Sequence, residues 1–338
     1  MSRTAVVILN FNGEKLLPQF LPSVVERSGS AQVIVADNGS TDQSLKLLDE
    51  QFPSVTVIRL DKNYGFCGGY NRALNQVKSD YVVLLNSDVE VTPGWLKPMT
   101  DLLDSNPSIG ALQPKILSYR ERHLFEYAGA AGGFIDSLGY PFCRGRIFDT
   151  VETDRGQYDD SREIFWATGA CLMIRLDLYH QLGGLDEDFF AHMEEIDLCW
   201  KIQRRGMKVF SCGKSSVYHL GAGTLGYGSP GKVFLNFRNG LNLIFKHLDT
   251  REMIYKLPVR MLLDWVAALK FVVSGEFNQA LAVLRAHFHF LKGLPRTMQK
   301  RQLIRAANPE YPRTAVYGGS VLFGYFLKGW KTFSGNYQ

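Results

Sequence analysis

Residues Tyr81 to Asp88 read YVVLLNSD, a short apolar run that stops at an asparagine, a serine and a carboxylate. A run of this length and composition is typical of a buried parallel strand. Ligands of open α/β sheets bind just beyond the carboxyl ends of the strands, so position alone makes Asp88 a candidate site residue. A single aspartate at a strand end is more often a turn former or a helix cap.

Three earlier apolar runs end in the same way, which favours a shared binding crevice over four separate turns. They are AVVIL before Asn10, AQVIVA before Asp37, and SVTVIRL before the loop from Asn63 to Gly69. Helical segments separate the runs, around residues 16–27, 40–51 and 70–77. Alternation on this scale indicates right-handed βαβ units and a parallel sheet. We therefore predict an α/β fold, a Rossmann-like sheet flanked by helices.

The second half of the chain is less regular. We expect strands and long loops around the active face over residues 110–165, and a second ordered block with a helix over 196–205 and a strand over 208–212. Residues 257–292 have an amphipathic helical pattern. In it, Arg260, Asp264 and Lys270 are expected to share one face, as are Arg285, His289 and Lys292, with apolar residues facing them.

Composition and charge set limits on function. The 338 residues are 46% hydrophobic and 21% charged, as in an ordinary globular protein. The net charge of +5 is uneven, because residues 240–338 hold 14 Lys and Arg against 5 Asp and Glu. A basic segment of this kind favours nucleic acid or an anionic membrane surface. Without interleaved exposed aromatics or a known motif, nucleic acid is excluded.

The chain is expected to stay in the cytoplasm, at most peripheral on the inner face of the membrane. Its five cysteines form no CxxC pair, and the odd count argues against a disulfide framework. MSRTAVVILNFNG at the N-terminus enters a strand directly and lacks the features of a secretory signal. No apolar run reaches the ~18 to 20 residues that span a bilayer.

Two loops are candidates for nucleotide binding. Asp37 in ADNGSTD can accept hydrogen bonds from a base or a ribose. A dehydrogenase also carries an acid there, but its glycine fingerprint should follow the first strand, where NFNGEK offers only Gly13. The glycine-rich loop NYGFCGGYN allows close approach of a ligand and leaves helix N–H groups free for phosphate, with Asn63, Gly65 and Gly68 as candidate contacts.

The candidates for catalysis and metal binding follow later strands. The carboxylate of Asp88 suits Mg²⁺ or Mn²⁺, which bind proteins through one or two carboxylates plus substrate phosphates. His219 follows a predicted strand and could be its partner, although a lone histidine is more often structural. Glu194, Glu195 and Asp197 begin a helix, where acids are favoured by the helix dipole alone. The apolar FFAHM before them predicts that at least one has the raised pKa of a working base.

Seven of these motifs together resemble family 2 glycosyltransferases of the GT-A fold, particularly the rhamnosyltransferase-like branch. In chain order they are ILNFNG, ADNGSTD, NYGFCGGYN, LLNSD, TGACLMIR, GGLDEDFFAHMEEIDLCWKIQRRG and YHLGAG. The resemblance runs from about Thr4 to Leu248. It implies an inverting transfer of a sugar, rhamnose among the candidates, from a dTDP- or UDP-linked donor to a hydroxyl of a saccharide or lipid-linked acceptor in cell-surface polysaccharide synthesis.

The resemblance also implies roles for individual residues. Asp37 would contact the base, with Asn10 and Asn12 lining the same pocket. Asn86 and Asp88 correspond to the family's DxD element, in which Asp88 would hold the metal and His219 would be a second ligand. Glu195 corresponds to the catalytic base, with Glu194 and Asp197 as alternatives. Two departures stand out, since Asn replaces the first Asp of the DxD element and Glu replaces the Asp often found as base.

Several alternatives remain open from the sequence. A sugar nucleotidyltransferase should carry a glycine-rich, basic loop after the first strand, which NFNGEK does not supply. A non-catalytic protein that binds sugar nucleotides or glycans is the second hypothesis, and release of nucleotide from a donor would exclude it. We expect residues 1–248 to form the transferase domain. Residues 249–338 would form a helical region that either covers this domain or contacts an anionic membrane surface.

Overall fold

The computed structural model describes residues 2–221, 228–307 and 313–337, which form fourteen strands and ten α-helices. The strands are β1 (Thr4–Asn10), β2 (Gln32–Asp37), β3 (Thr56–Arg59), β4 (Tyr81–Asn86), β5 (Val89–Val91), β6 (Ile109–Ser118), β7 (Gly133–Asp136), β8 (Pro141–Cys143), β9 (Arg146–Ile147), β10 (Thr150–Val151), β11 (Ser161–Ile164), β12 (Cys171–Arg175), β13 (Lys208–His219) and β14 (Val316–Tyr317). The helices are α1 (Leu17–Arg27), α2 (Ser44–Gln51), α3 (Gly65–Leu74), α4 (Leu96–Ser105), α5 (Leu176–Gln181), α6 (Glu194–Arg204), α7 (Pro230–His247), α8 (Thr250–Val273), α9 (Phe277–Ala307) and α10 (Val321–Leu327).

The main sheet is mixed and has the strand order β11-β13-β6-β12-β4-β1-β2-β3, with β5 added on β13. Strands β1 to β4 are parallel, and β12 runs antiparallel between β4 and β6. The register pairs Asn10 with Asp37 and Leu9 with Asn86. Since these strands are neighbours and in step, the sheet brings their polar carboxyl ends to one edge.

Helices cover both faces of this sheet, which is why β1 and β4 are continuous apolar runs and do not alternate. Val7 and Leu84 face one buried cluster, which includes Tyr70 and Trp200. Val6 and Val83 face another, which includes Trp95. A fully buried side chain of this size stabilises the fold by about 1.5–3 kcal/mol relative to an exposed one. The predicted α/β fold is therefore confirmed.

A small second sheet lies in the region where the sequence predicted strands and long loops. Its order is β10-β9-β8-β7-β14, and β14 comes from the far end of the chain to pair in parallel with β7. Phe134 and Phe142 of this sheet pack against Phe333. The backbone N–H of Val321 also donates to Asp136. The C-terminal residues are thus part of this sheet and its core.

The structure corrects the predicted helical segment 257–292 in two respects. It is two helices, α8 and α9, separated at Gly275, which has a positive φ of 76°. Arg260 and Asp264 are buried on α8, whereas Lys270 is exposed, so the three do not share one face. Asp264 and Lys270 are six residues apart, which turns the second side chain about 240° from the first. Among the described residues, every helix is too short or too polar to cross a membrane.

Candidate active site

The ends of β1 and β2 bring together three residues that the sequence predicted for nucleotide binding. Asn10 Nδ2 donates to Asp37 Oδ2 at 3.0 Å, and both side chains are buried. The Asp37 carboxylate also accepts from the Ser40 backbone N–H at 2.9 Å. Asn12 is exposed, has a positive φ of 53°, and accepts from the Thr41 N–H through its side chain. Asn12 is thus the exposed member of this group, and Asn10 and Asp37 form its buried pair.

The glycine-rich loop is hydrogen-bonded to the end of β2 through Asn38, which follows Asp37. Asn38 Nδ2 donates to Asn63 Oδ1 at 3.0 Å, and its Oδ1 accepts from the Tyr64 N–H at 3.0 Å. Gly65 has a positive φ of 69° and opens α3, five residues earlier than the helix predicted from 70. A Cβ on Gly69 would lie 2.7 Å from Leu9, so only glycine lets α3 approach β1 this closely.

Asn86, Asp88 and His219 meet at the end of β4. The antiparallel pairing of β5 with β13 sets His219 opposite Val89, next to Asp88. His219 Nε2 lies 3.1 Å from Asp88 Oδ1 and 3.4 Å from Asn86 Nδ2. The strand predicted over 208–212 continues to His219 and so delivers this imidazole. The end of the YHLGAG motif, from Ala222 onward, lies outside the described residues.

Glu126 belongs to this cluster and was missed by the sequence analysis. Its Oε2 lies 3.3 Å from His219 Nδ1, on the side of the ring opposite Asp88. Although burial opposes the charged imidazolium, the Asp88 and Glu126 carboxylates raise the pKa of His219 to about 10. Glu126 lies in a loop of irregular sequence, where no periodicity marks it.

The side-chain atoms of Asp88 and His219 are suitable ligands for a divalent cation. A carboxylate oxygen and an imidazole nitrogen suit Mn²⁺ or Mg²⁺, and Glu126 can orient the ring from its other nitrogen. In the part of the chain that the structure describes, no three His, Cys, Asp or Glu side chains are grouped as a complete ligand set.

The three acids at the start of α6 have different surroundings. Asp197 is fully buried, 2.6 Å from Lys246 Nζ and 2.8 Å from His247 Nε2. Although burial favours its neutral form, Lys246 and His247 hold the pKa of Asp197 well below its usual range. This carboxylate joins α6 to α7. Glu194 is also buried, and burial together with the charge of Glu195 raises its pKa well above the usual value.

Glu195 differs from both neighbours because it is half-buried and lines a cavity of about 320 Å³. Burial raises the pKa of Glu195 to about 7, although backbone N–H groups at the helix start act in the opposite direction. Its Oε2 has no hydrogen-bond partner. A carboxylate that is open to a cavity and half-ionised near neutral pH has the properties of a general base.

The segment before α6 holds three residues with positive φ, at Phe190 (65°), His192 (67°) and Met193 (74°). Such backbone costs on the order of 1–3 kcal/mol per residue and concentrates at functional sites. Asn239 on α7 fixes the segment, since its Nδ2 donates to the carbonyls of Phe189, Ala191 and His192 at 2.8–2.9 Å. Asn239 is a positioning residue that the sequence analysis missed.

One loop connects Glu195 to the metal-binding candidates. A Cβ on Gly169 would lie 3.9 Å from the Cβ of Glu195, and the next residue, Ala170, accepts a hydrogen bond from the Asn86 N–H at 3.0 Å. Glu195 and Asn86 thus flank the same two residues of the TGACLMIR motif. The Cβ of Glu195 and the backbone of Asn86 both lie near residues 169 and 170.

Comparison with known proteins relates the chain to one protein family. The sequence model of glycosyl transferase family 2 matches residues 5–183. An N-acetylglucosaminyl-diphospho-decaprenol L-rhamnosyltransferase of Mycobacterium tuberculosis is 28% identical over 249 residues, which cover 64% of this chain and 80% of the relative.

Two crystal structures share the fold. TarS residues 1–349 of S. aureus in complex with UDP-GlcNAc superposes with a TM-score of 0.58 and 16% identity, over 90% of this chain and 87% of the other. GalNAc-T7 with UDP, GalNAc and Mn²⁺ superposes with a TM-score of 0.56 and 19% identity, over 71% of this chain and 47% of the other. The similarity to glycosyltransferases of this architecture confirms the GT-A fold implied by the seven motifs.

Proposed function

The chain belongs to glycosyl transferase family 2, and on that premise we propose that it is an inverting, metal-dependent enzyme. It moves a sugar from a dTDP- or UDP-linked donor to a hydroxyl of a saccharide or lipid-linked acceptor in cell-surface polysaccharide synthesis. Rhamnose is the first sugar to test, because a relative 28% identical in sequence is named as an L-rhamnosyltransferase. Residues 1–248 would supply the base and the metal and nucleotide sites, and α8 completes the wall of the Glu195 cavity through Arg260 and Asp264.

Glu195 acts as the base. Its carboxylate accepts the proton of the acceptor hydroxyl as the oxygen attacks the anomeric carbon. The new C–O bond forms on the face opposite the diphosphate, whose C–O bond breaks and takes the electron pair with it. A single displacement of this kind inverts the anomeric configuration. The half-buried position of Glu195 in the cavity lining supports this role over Glu194, and its raised pKa supports it over Asp197.

Asp88 and His219 would hold the divalent cation, Mn²⁺ or Mg²⁺, which when bound neutralises negative charge on the departing diphosphate. Glu126 fixes the ring of His219 from the opposite nitrogen. Asn86 lies beside this pair and replaces an aspartate of the family pattern, so it adds a polar group without a further negative charge. One carboxylate and one neutral imidazole beside an amide suit an ion that the donor phosphates also bind.

The nucleotide would lie over the ends of β1 and β2. Asp37 and Asn10 supply a fixed polar floor, and Asn12 supplies an exposed amide for the base or ribose. Asn63, Gly65 and Gly68 would lie beside the phosphates, because the N-terminus of α3 favours negative charge. The Gly65 N–H itself donates to Asn63 Oδ1 at 2.8 Å.

The helical C-terminal region supports a peripheral membrane location. Of the 22 large apolar side chains that are exposed in the described chain, 19 lie between Ile254 and Leu327. On α8 the buried positions include Arg260 and Asp264, while Leu262, Trp265 and Leu269 are 65%, 51% and 63% exposed. An apolar patch of this extent marks an interaction surface. Exposed Lys270, Arg285 and Lys292 on α8 and α9 favour an anionic bilayer on the cytoplasmic side as its occupant.

The proposal rests mainly on Glu195, whose carboxylate has a pKa of about 7 and lines a cavity. Glu195 also lies beside residues 169 and 170, which contact the end of the strand that leads to Asn86 and Asp88. Incubation of the protein with a panel of UDP- and dTDP-sugars and Mn²⁺ or Mg²⁺ tests the proposal, with nucleoside diphosphate release as the readout. We expect release from one donor class, enhanced by acceptor. Binding of donors without any release would favour the alternative, a non-catalytic sugar-nucleotide binding protein.

A further inference from the structure

The cavity beside Glu195 is lined by two buried arginines to which the proposed transfer gives no role. Its walls come from the small sheet, from α6 and from α8, and include Tyr127, Tyr140, Arg146, Trp166, Glu195 and Arg260. Two of these residues are buried guanidinium groups. Burial of a cation costs several kcal/mol unless an anion or a full set of hydrogen bonds compensates.

Arg146 is 9% exposed and forms no ion pair with a carboxylate of the described residues. Although burial opposes the charged form, Cys143, Tyr127 and Glu126 raise the pKa of the Arg146 guanidinium. Its Nη1 donates to the Phe148 carbonyl at 3.0 Å, its Nη2 to Cys143 Sγ at 3.9 Å, and its Nε is buried without a partner. The guanidinium carbon lies 3.8 Å from the centre of the Tyr127 ring. A cation held by one carbonyl, a thiol and an aromatic face remains able to pair with an anion.

Arg260 adds a second positive charge to the same cavity. It is 4% exposed, its guanidinium carbon lies 3.5 Å from the centre of the Tyr140 ring, and its Nε has no hydrogen-bond partner. The nearby carboxylate, Asp264, is 4.0 Å from Arg260 Nε and 3.1 Å from His287 Nε2. Asp264 offsets one positive charge, but the three cations of the lining, Arg146, Lys232 and Arg260, outnumber its two acids, Asp264 and Glu195.

We infer that this cavity is the acceptor subsite and that Arg146, assisted by Arg260, binds a phosphate or diphosphate group of the acceptor. The inference rests on the proposed function, because it is the position of Glu195 in the same cavity that makes the ligand an acceptor. A ligand with a hydroxyl at Glu195 and an anion at Arg146 is a sugar that carries a phosphate. Planar guanidinium groups recognise phosphate through paired N–H donors.

The location of Arg260 agrees with a lipid-linked phosphate. Helix α8 forms the cavity wall with Arg260 and Asp264, and it exposes Leu262, Trp265 and Leu269 on its outer side. The phosphate of a lipid-linked sugar lies at the boundary between the lipid and the sugar. A helix with the Arg260 cation toward the cavity and apolar residues outward matches the two parts of such a molecule.

The test is calorimetric titration with inorganic pyrophosphate, in EDTA, of the full-length protein and of Arg146→Met and Arg146→Lys. EDTA removes the metal on which binding at Asp88 and His219 depends. We expect the wild type to bind and Arg146→Met to bind roughly 10- to 100-fold more weakly, because a charged hydrogen-bonding partner is lost. Arg146→Lys should have an intermediate affinity, because lysine keeps the charge but not the paired N–H donors of the guanidinium. Arg162→Met, a half-exposed arginine outside the cavity, is the matched control and should bind like the wild type.

Thermal unfolding and donor binding separate the possible causes. Arg146→Met should unfold at the same or a higher temperature than the wild type, since an apolar residue replaces an unpaired buried charge. It should also bind UDP or dTDP with Mn²⁺ normally and release nucleoside diphosphate from the donor without acceptor. Loss of Mn²⁺–nucleotide affinity in parallel would assign Arg146 to the donor phosphates and overturn the inference. Unchanged pyrophosphate binding by both Arg146 variants, or none by the wild type, would overturn it too, while donor turnover reports separately on the proposed function.

Discussion

Substitution of Glu195 by Gln should abolish most turnover and leave donor binding intact. A positioned base typically contributes ~10² to 10⁴ in rate, and the amide of Gln cannot accept the proton. The pKa of about 7 adds a second expectation for the wild type. The ionised fraction of Glu195 rises from about one tenth at pH 6 to about nine tenths at pH 8, so kcat/KM should rise roughly tenfold over that range.

Charged groups around Glu195 bear on the sign of this pH effect. Glu194 is the preceding residue of α6. The cavity that Glu195 lines also contains the charged residues Arg146, Lys232, Arg260 and Asp264. His192 lines it too, and burial lowers the pKa of His192 to about 4. His192 therefore stays neutral above pH 6. Because the folded-state pKa of Glu195 is raised, the protonated, inactive form predominates below pH 7 and is lost above it.

The assay measures nucleoside diphosphate release at saturating Mn²⁺ from pH 6 to 8, and donor affinity by calorimetry. Glu187→Gln is the control, since Glu187 is exposed and paired with Arg72 at 3.0 Å outside the cavity. Glu194→Gln should lose less than about tenfold, as its carboxylate does not line the cavity. A flat profile between pH 6 and 8, or a Glu195→Gln enzyme within tenfold of the wild type, would refute the assignment of Glu195 as base.

Three further variants and one binding experiment test other parts of the account. Asp88→Ala should lose Mn²⁺-dependent donor binding in calorimetry, and equal affinity with and without the substitution would remove Asp88 from the metal site. Asp37→Ala should weaken nucleoside diphosphate binding about tenfold or more, because a charged acceptor is lost; an unchanged Kd contradicts this. Asp197→Asn should lower the free energy of unfolding, measured in urea, by about 3–5 kcal/mol, since it leaves buried Lys246 and His247 without their carboxylate. A loss smaller than about 1 kcal/mol would show that this contact contributes little to stability. The protein should float with anionic vesicles and Trp265→Gln should float less; failure of the wild type to float favours helices that only cover the domain.

The first hundred residues were the most predictable part of the fold. Each of β1, β2 and β4 is a short apolar run with a polar end, and helices on both faces of the sheet require that composition. The small sheet could not be predicted in detail, because its strands are two to four residues long and β14 pairs with β7 across the length of the chain. Strands of that length have no measurable alternation of apolar and polar residues.

The candidate site divides in a similar way. Asn10, Asp37, Asn86 and Asp88 could be predicted because strand ends in one parallel sheet meet at one edge. Other residues, Glu126, Asn239 and Arg146, lie in a loop, on a helix and in a two-residue strand where no pattern distinguishes them from ordinary polar residues. The burial of Arg260 and Asp264 on α8, with its apolar residues exposed, could not be predicted for a different reason. Helical periodicity separates polar and apolar faces, but it does not determine which face meets solvent.

The most direct test is anomalous diffraction from crystals grown with Mn²⁺ and the nucleoside diphosphate that the enzyme releases. The central claim is that Asp88, His219 and Glu195 act on one bound donor. We expect a single manganese peak coordinated by the Asp88 carboxylate and His219 Nε2, with the terminal phosphate between this ion and the cavity that Glu195 lines. A manganese peak coordinated by other residues, or a diphosphate bound on a surface away from Glu195, would contradict the account.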